Sequence, residues 1–230
     1  MTEEISLIFT AVTIGVVHTI TGPDHYVPFV AMAHANDWST RKSIAVTVAC
    51  GLAHVMSSVV IGTVGLIVGL LVLSLQRIEA LEALRGETAA WMLIAFGLGY
   101  LLFGLLIASG QVAHRHGTCD NRQTGDLDDD SESTSSKPGW TPWLLFLVFA
   151  FGPCEALIPM LMYPAAQANW MAVLAVVLAF GAATLATMIF AVLVMQLGLR
   201  SLRLPDLHRY SHALAGGAIL ACGLAVKFGL

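Results

Sequence analysis

The chain has 230 residues, of which 57% are hydrophobic and only 11% are charged, and its mean hydropathy is +0.79. Soluble domains average about 25% charged residues, so this composition excludes an ordinary soluble protein and indicates an integral membrane protein. The apolar runs are continuous rather than alternating, which excludes a membrane β-barrel. A net charge of −4 gives no reason to expect nucleic-acid binding.

The first part of the chain, residues 1–113, predicts three membrane-spanning helices, since a span needs about 20 apolar residues. Span 1 is expected at residues 5–20. Gly22-Pro23 interrupts it, because proline lacks an amide hydrogen and clashes with the preceding turn, and a helical extension towards Ala35 follows. Span 2 is one long helix within residues 43–76, and span 3 is expected at residues 89–113 after a charged connector.

The remainder of the chain predicts a loop and three further spans. Residues 114–139 are rich in Asp, Ser and Thr and almost free of apolar side chains, which predicts a flexible segment. Residues 140–230 form the last part, with span 4 at residues 140–163, span 5 at 170–199 and span 6 from about residue 210. The sequence therefore predicts an all-α integral membrane protein of about six transmembrane helices.

The distribution of Lys and Arg predicts the orientation of these six spans. The side that holds both termini carries three basic residues, and the side that holds the 114–139 loop carries eight. Basic residues accumulate on the cytoplasmic side of membrane proteins. We therefore expect a multi-pass protein of the cell inner (plasma) membrane, with both termini outside and the loop in the cytoplasm.

The two halves of the chain share a pattern that predicts an internal repeat. Span 1 ends in Gly22-Pro23-Asp24-His25, and span 4 contains Gly152-Pro153-Cys154-Glu155. Span 2 has Gly51-x-x-His54, and span 5 has Gly181-x-x-Thr184. Three spans per half make such a repeat inverted in the membrane, and paired helix interruptions indicate a site near the midplane. We therefore predict a 3+3 inverted repeat with helices 1 and 4 broken at Gly-Pro.

Few ionisable side chains lie within the spans, and none of them is Lys or Arg. Such groups are costly in a membrane and mark a functional site by default. A mixed set of imidazoles and carboxylates suits a first-row divalent metal ion. The candidate metal ligands are His18, Asp24, His25, His54, Cys154 and Glu155. Ordinary structural roles stay open for three of them: His54 as a buried core histidine, Glu155 as a neutral acid and Cys154 as a packing residue.

These residues resemble a known family. The stretch from Gly15 to His25, followed by Gly51-x-x-His54 and Gly152-Pro-Cys-Glu-x-Leu-Ile-Pro159, is similar to the nickel/cobalt transporter superfamily, and within it to the urease accessory protein H-like branch. The resemblance implies a secondary transporter of Ni²⁺ or Co²⁺. Pro-Asp-His25, where the efflux branch has Pro-Gly-His, favours import. Neither an enzymatic activity nor a resident cofactor is expected, and the partners are the divalent metal ion and the lipid bilayer.

Two alternative functions remain open at this point. Gly152-Pro-Cys154-Glu also resembles the membrane domain of thiol-disulfide electron carriers related to the cytochrome c biogenesis protein, although Asp24 stands where the first half would need a second cysteine. The chain could also be a non-transporting partner of metalloenzyme maturation proteins. That function would use the cluster His114-x-His116-x-x-Cys119 in the loop.

Overall fold

A computed structural model describes residues 2–72, 75–109, 140–152, 156–201 and 209–229. All regular elements within these residues are helical, which confirms the all-α part of the predicted fold class. The predicted loop at 114–139 lies outside the described residues. The helices are α1 (Thr2–Thr21), α2 (Val27–Ala35), α3 (Thr40–Val72), α4 (Leu75–Ala108), α5 (Trp140–Phe151), α6 (Leu157–Ala166), α7 (Trp170–Ser201) and α8 (Ser211–Phe228).

The predicted break in the first span is present. α1 ends at Thr21, a 3-10 turn covers Pro23–His25, and α2 begins at Val27. The amide of Gly22 still donates to the carbonyl of His18 at 3.0 Å, and the amide of His25 donates to the carbonyl of Gly22 at 3.1 Å. The chain therefore turns tightly without leaving these amides unpaired, as a break at membrane depth requires.

The prediction of six spans is confirmed only in part. Within the described residues, five helical segments are long and apolar enough to cross a membrane: Glu3–Thr21, Thr40–Val60, Gly86–Ala108, Trp170–Leu199 and Ser211–Phe228. In the predicted fourth span, α5 ends at Phe151 and α6 begins at Leu157. Pro153, which cannot donate a backbone hydrogen bond, follows the end of α5 at this interruption.

The closest helix pair is α4 with α8, which run antiparallel at backbone contact. A β-carbon placed on Gly104 would lie 2.2 Å from the amide nitrogen of Ala213, and one on Gly216 would lie 2.2 Å from that of Leu101. The corresponding distances are 2.4 Å from Gly97 to the amide nitrogen of Leu220 and 2.8 Å from Gly223 to that of Ile94. Small residues allow membrane helices to approach in this way, and the pair holds one wall of the site described below.

Large apolar side chains cover the outside of the bundle, including Phe9, Phe190 and Met171, which are 72%, 68% and 76% exposed. A soluble domain rarely exposes so much contiguous apolar surface, whereas lipid tails cover it in a membrane. The interior, by contrast, holds buried histidines. His25 and His54 are 3% and 4% exposed, and the ring of His54 lies 6.1 Å from that of Phe149.

Candidate metal site

His25 is placed by the helix break and aims one ring nitrogen into the interior. Its Nδ1 atom lies 3.1 Å from the carbonyl oxygen of Gly22 and 3.2 Å from Oδ1 of Asp24. A carbonyl and a carboxylate only accept hydrogen bonds, so Nδ1 carries the proton and donates. Nε2 is then a bare acceptor, and it has no hydrogen-bond partner among the described residues.

His54 has the same arrangement, although it comes from another helix. It lies within α3, where its Nδ1 atom is 3.3 Å from the carbonyl oxygen of Phe149 in the last turn of α5. Nδ1 must donate to this carbonyl, which leaves Nε2 as an acceptor. The Nε2 atom of His54 is also buried without a partner in the described part of the chain.

His18 completes the cluster from the last turn of α1. Its ring centroid is 4.7 Å from that of His25, and the centroid of His25 is 5.2 Å from that of His54. One ligand atom from each of the three rings can be chosen so that all lie within 4.8 Å of one another. The first helix break and α3 therefore converge on one point. We call His18, His25 and His54 the histidine cluster.

The spacing of the histidine cluster fits a metal ion after a small contraction. Metal–nitrogen bonds of about 2.0–2.1 Å in a tetrahedral site place two ligand nitrogens about 3.3 Å apart. The 4.8 Å limit of the cluster is wider than this by roughly 1.5 Å. His25 and His54 are held by their Nδ1 hydrogen bonds, and His18 is the partly exposed member of the cluster.

The other predicted ligands are placed differently. Asp24 lines the same cavity, but its described contact is the hydrogen bond from His25, so it orients that ring instead of belonging to the cluster. Carboxylates commonly hold the second nitrogen of a metal-bound histidine in this way. Cys154 and Glu155 lie outside the described residues. Gly152, two residues before Cys154, would bring a β-carbon to 3.5 Å from Nδ1 of His54.

A cavity of about 630 Å³ connects the histidine cluster with one end of the bundle. It is lined at its inner end by the three histidines and Asp24, and it reaches Glu87 and Lys227 where α4 enters its span and α8 ends. Ala89, Ala90 and Leu93 of α4 form part of the wall between them. The cluster is therefore buried by protein but reachable from this end.

The sequence did not reveal several residues that shape the site. Gly22 is needed beside His25, since a β-carbon there would lie 2.6 Å from Nδ1 of that ring. The Gly-Pro pair could have signalled this close approach. The carbonyl of Phe149 and the pair Glu87 and Lys227 carry no sequence signal for a role at the site, because they arrive through helix packing.

Comparison with known proteins places the chain in a family. The family model that describes the transmembrane region of cytochrome c biogenesis proteins matches residues 27–225. The chain belongs to this family. No curated protein and no solved structure matches the chain significantly.

Membership of the cytochrome c biogenesis family corrects two predictions. Assignment to the nickel/cobalt transporter superfamily is wrong, and with it the prediction of a nickel or cobalt importer. One of the three stretches that suggested that superfamily, from Gly15 to His25, lies before the first matched residue. His54 and Cys154 lie within the matched range, and the Gly-Pro-Cys-Glu stretch had already suggested the cytochrome c biogenesis relationship.

Proposed function

We propose that this protein serves the biogenesis of cytochrome c or a similar metalloprotein in the membrane, and that its histidine cluster binds a transition-metal ion in that process. One observation carries the proposal. Two buried histidines from separate elements both have Nδ1 tied to an oxygen acceptor and Nε2 unpartnered within the described residues. A buried polar atom without a partner costs free energy. Two neighbouring Nε2 atoms of this kind therefore favour a metal ion, which accepts the lone pairs of both.

The chemistry of the cavity supports a cation rather than an anion or a neutral donor. Three imidazoles suit zinc, copper, iron or nickel, whereas magnesium and calcium prefer oxygen ligands. Asp24 adds negative charge behind His25. Lys227, the cationic side chain among the described cavity-lining residues, lies at the far end and is paired with Glu87. We therefore propose a first-row transition-metal ion as the ligand.

Metal binding by the purified protein tests this function. The chain in detergent, freed of metal with a chelator, should bind one Zn²⁺ or Cu²⁺ per molecule, measured by elemental analysis after gel filtration. Co²⁺ should give the visible absorption bands of a four-coordinate site with imidazole ligands. A protein that keeps its fold, by circular dichroism, and retains none of these ions would contradict the proposal.

Thiol-disulfide exchange is a second candidate, favoured by the family match. Here the thiolate of Cys154 would attack one sulfur of a partner's disulfide, form a mixed disulfide and release the other sulfur as a thiolate. Cys50 and Cys222 are buried free thiols in the described residues and are poorly placed for a soluble partner.

Replacement of Cys154 with Ser separates the two candidates. A thiol carrier should lose its acid-trapped mixed disulfide completely, whereas metal binding at the histidine cluster should change less than about threefold, because no cysteine is needed for three imidazole ligands. Cys50→Ser serves as the matched control, as its thiol is buried in the α3 core. A trapped disulfide that persists in Cys154→Ser would count against the thiol carrier.

We also propose that the chain is an inverted repeat, with α1 to α4 related to α5 to α8. Helix contacts support it: α1 packs on α7 as α5 packs on α3, and α2 packs on α3 as α6 packs on α7. The two remaining equivalent pairs, α3 with α7 and α4 with α8, contact each other across the halves.

The proposed setting is the inner membrane, with both termini outside.

A further inference from the structure

The mouth of the cavity carries an ion pair that the proposed function does not yet use. Lys227 in the last turn of α8 contacts Oε1 of Glu87 near the start of the α4 span. The Nε1–H of Trp91 donates to the same oxygen at 3.3 Å, and the Lys227 ammonium lies 5.2 Å from the centre of the Trp91 ring. We call Glu87 and Lys227 the mouth pair.

The mouth pair is placed to act on ions and not only to hold helices together. Both side chains line the cavity that ends at the histidine cluster. Their side chains are 54% and 28% exposed, so water reaches both of them. Exposed ion pairs add little stability, and the α4–α8 contact is already made by backbone packing at four glycines. A structural role alone therefore explains little of this arrangement.

Charge at a narrow mouth changes how often an ion reaches the site behind it. Paired, the two charges largely cancel at a distance. Unpaired, one charge about 10 Å from a passing dication changes its local concentration about fourfold in water, and salt screens this effect. A carboxylate at the mouth attracts the cation, and an ammonium repels it.

We propose that the mouth pair sets the rate at which cations reach the histidine cluster, with Glu87 as the attracting carboxylate and Lys227 as the group that masks it. This inference rests on the proposed function. When Glu87 and Lys227 separate, the carboxylate is exposed to an incoming ion. When they pair again, the mouth is neutral overall. Trp91 holds Glu87 from the same helix, α4, whereas Lys227 reaches Glu87 from the last turn of α8.

Stopped-flow measurement of Zn²⁺ association tests the inference. At low ionic strength, Lys227→Gln should speed association by about fourfold and Glu87→Gln should slow it by a similar factor. Both differences should shrink at high ionic strength. The controls Glu3→Gln and Lys42→Gln change exposed charges that do not line the cavity, and they should match the wild type. Equal rates in all five proteins would overturn the inference.

A second measurement does not depend on metal binding and so separates this inference from the proposed function. A cysteine in the cavity, His18→Cys, is labelled with a cationic and an anionic methanethiosulfonate reagent, and the unsubstituted chain gives the background. The ratio of cationic to anionic rates should rise with Lys227→Gln and fall with Glu87→Gln. An unchanged ratio, or no reaction at His18→Cys, would overturn the role of the mouth pair even where the protein binds metal. Conversely, a shifted ratio supports it even where the wild type binds none.

Discussion

Replacement of His25 with Ala should weaken metal binding by more than about 100-fold, beyond the 10–100-fold typical of losing an outer-shell partner. His25 stands between the other two rings, with centroid distances of 4.7 Å to His18 and 5.2 Å to His54. Its loss leaves two of the three imidazole ligands, those of His18 and His54, for the ion. It also removes the only described partner of Oδ1 of Asp24.

Asp24→Asn should also weaken metal binding, but less than His25→Ala does. The amide can turn its oxygen toward Nδ1 of His25, but it holds that proton less strongly than a carboxylate does. The carbonyl of Gly22 still accepts from Nδ1, so the ring should keep its orientation in part. We therefore expect metal affinity to fall by about tenfold, at the lower end of the range for outer-shell partners.

His34→Ala is the matched control for both variants. His34 lies on α2, nine residues after His25, but it is exposed and does not line the cavity. Its removal should leave affinity and stoichiometry unchanged. If His34→Ala and His25→Ala lowered affinity equally, the bound ion would be at the surface and the histidine cluster would not be its site.

The local features of the fold were predictable because they depend on neighbours in the chain. Apolar length gives the helices, and Gly22-Pro23 gives the break, since proline removes a backbone donor whatever surrounds it. The sequence provided no spatial reason to place His54 beside the break. His54 was included because it is one of the few ionisable residues within the spans. His54 is 29 residues from His25, and it is α3 packing against α5 that brings its ring to the cavity.

The family was assigned wrongly from three motifs, two of which, Gly51-x-x-His54 and Gly152-Pro-Cys-Glu, lie inside the matched residues 27–225. The first motif, which ends at His25, precedes that range. Gly152-Pro-Cys-Glu resembled both families, so short motifs did not decide between them. The role of Asp24 was also not predictable from the sequence. The sequence places a carboxylate beside a histidine, but it does not distinguish a metal ligand from a group that orients one.

The glycines Gly97, Gly99 and Gly104 of α4 differ in their surroundings. Gly97 and Gly104 are seven residues apart and lie on the face toward α8, whereas Gly99 faces open space. Helical periodicity separates the two sets. The partner helix α8 repeats the spacing with Gly216 and Gly223.

Gly216→Ala should therefore destabilise the protein strongly, although alanine is the better helix former. The new β-carbon would lie 2.2 Å from the amide nitrogen of Leu101 and 2.5 Å from its Cα atom. Backbone atoms cannot rotate away, so α4 and α8 must separate by about 1 Å to reach normal contact distance. Overpacking costs about 1–3 kcal/mol, and each kcal/mol lowers Tm by about 2–4 °C at this chain length, so we expect a loss of about 2–12 °C.

The neighbouring glycine gives the control that isolates the helix contact. Gly217 lies on the same helix with open space where its β-carbon would be. Gly217→Ala should gain up to about 1 kcal/mol from helix propensity and melt at or above the wild-type temperature. Thermal unfolding of both variants in detergent, monitored by circular dichroism, gives the two Tm values to be compared. Equal Tm values for Gly216→Ala and Gly217→Ala would mean that α4 and α8 do not touch at backbone distance, and the wall that brings the mouth pair to the cavity would then be misplaced.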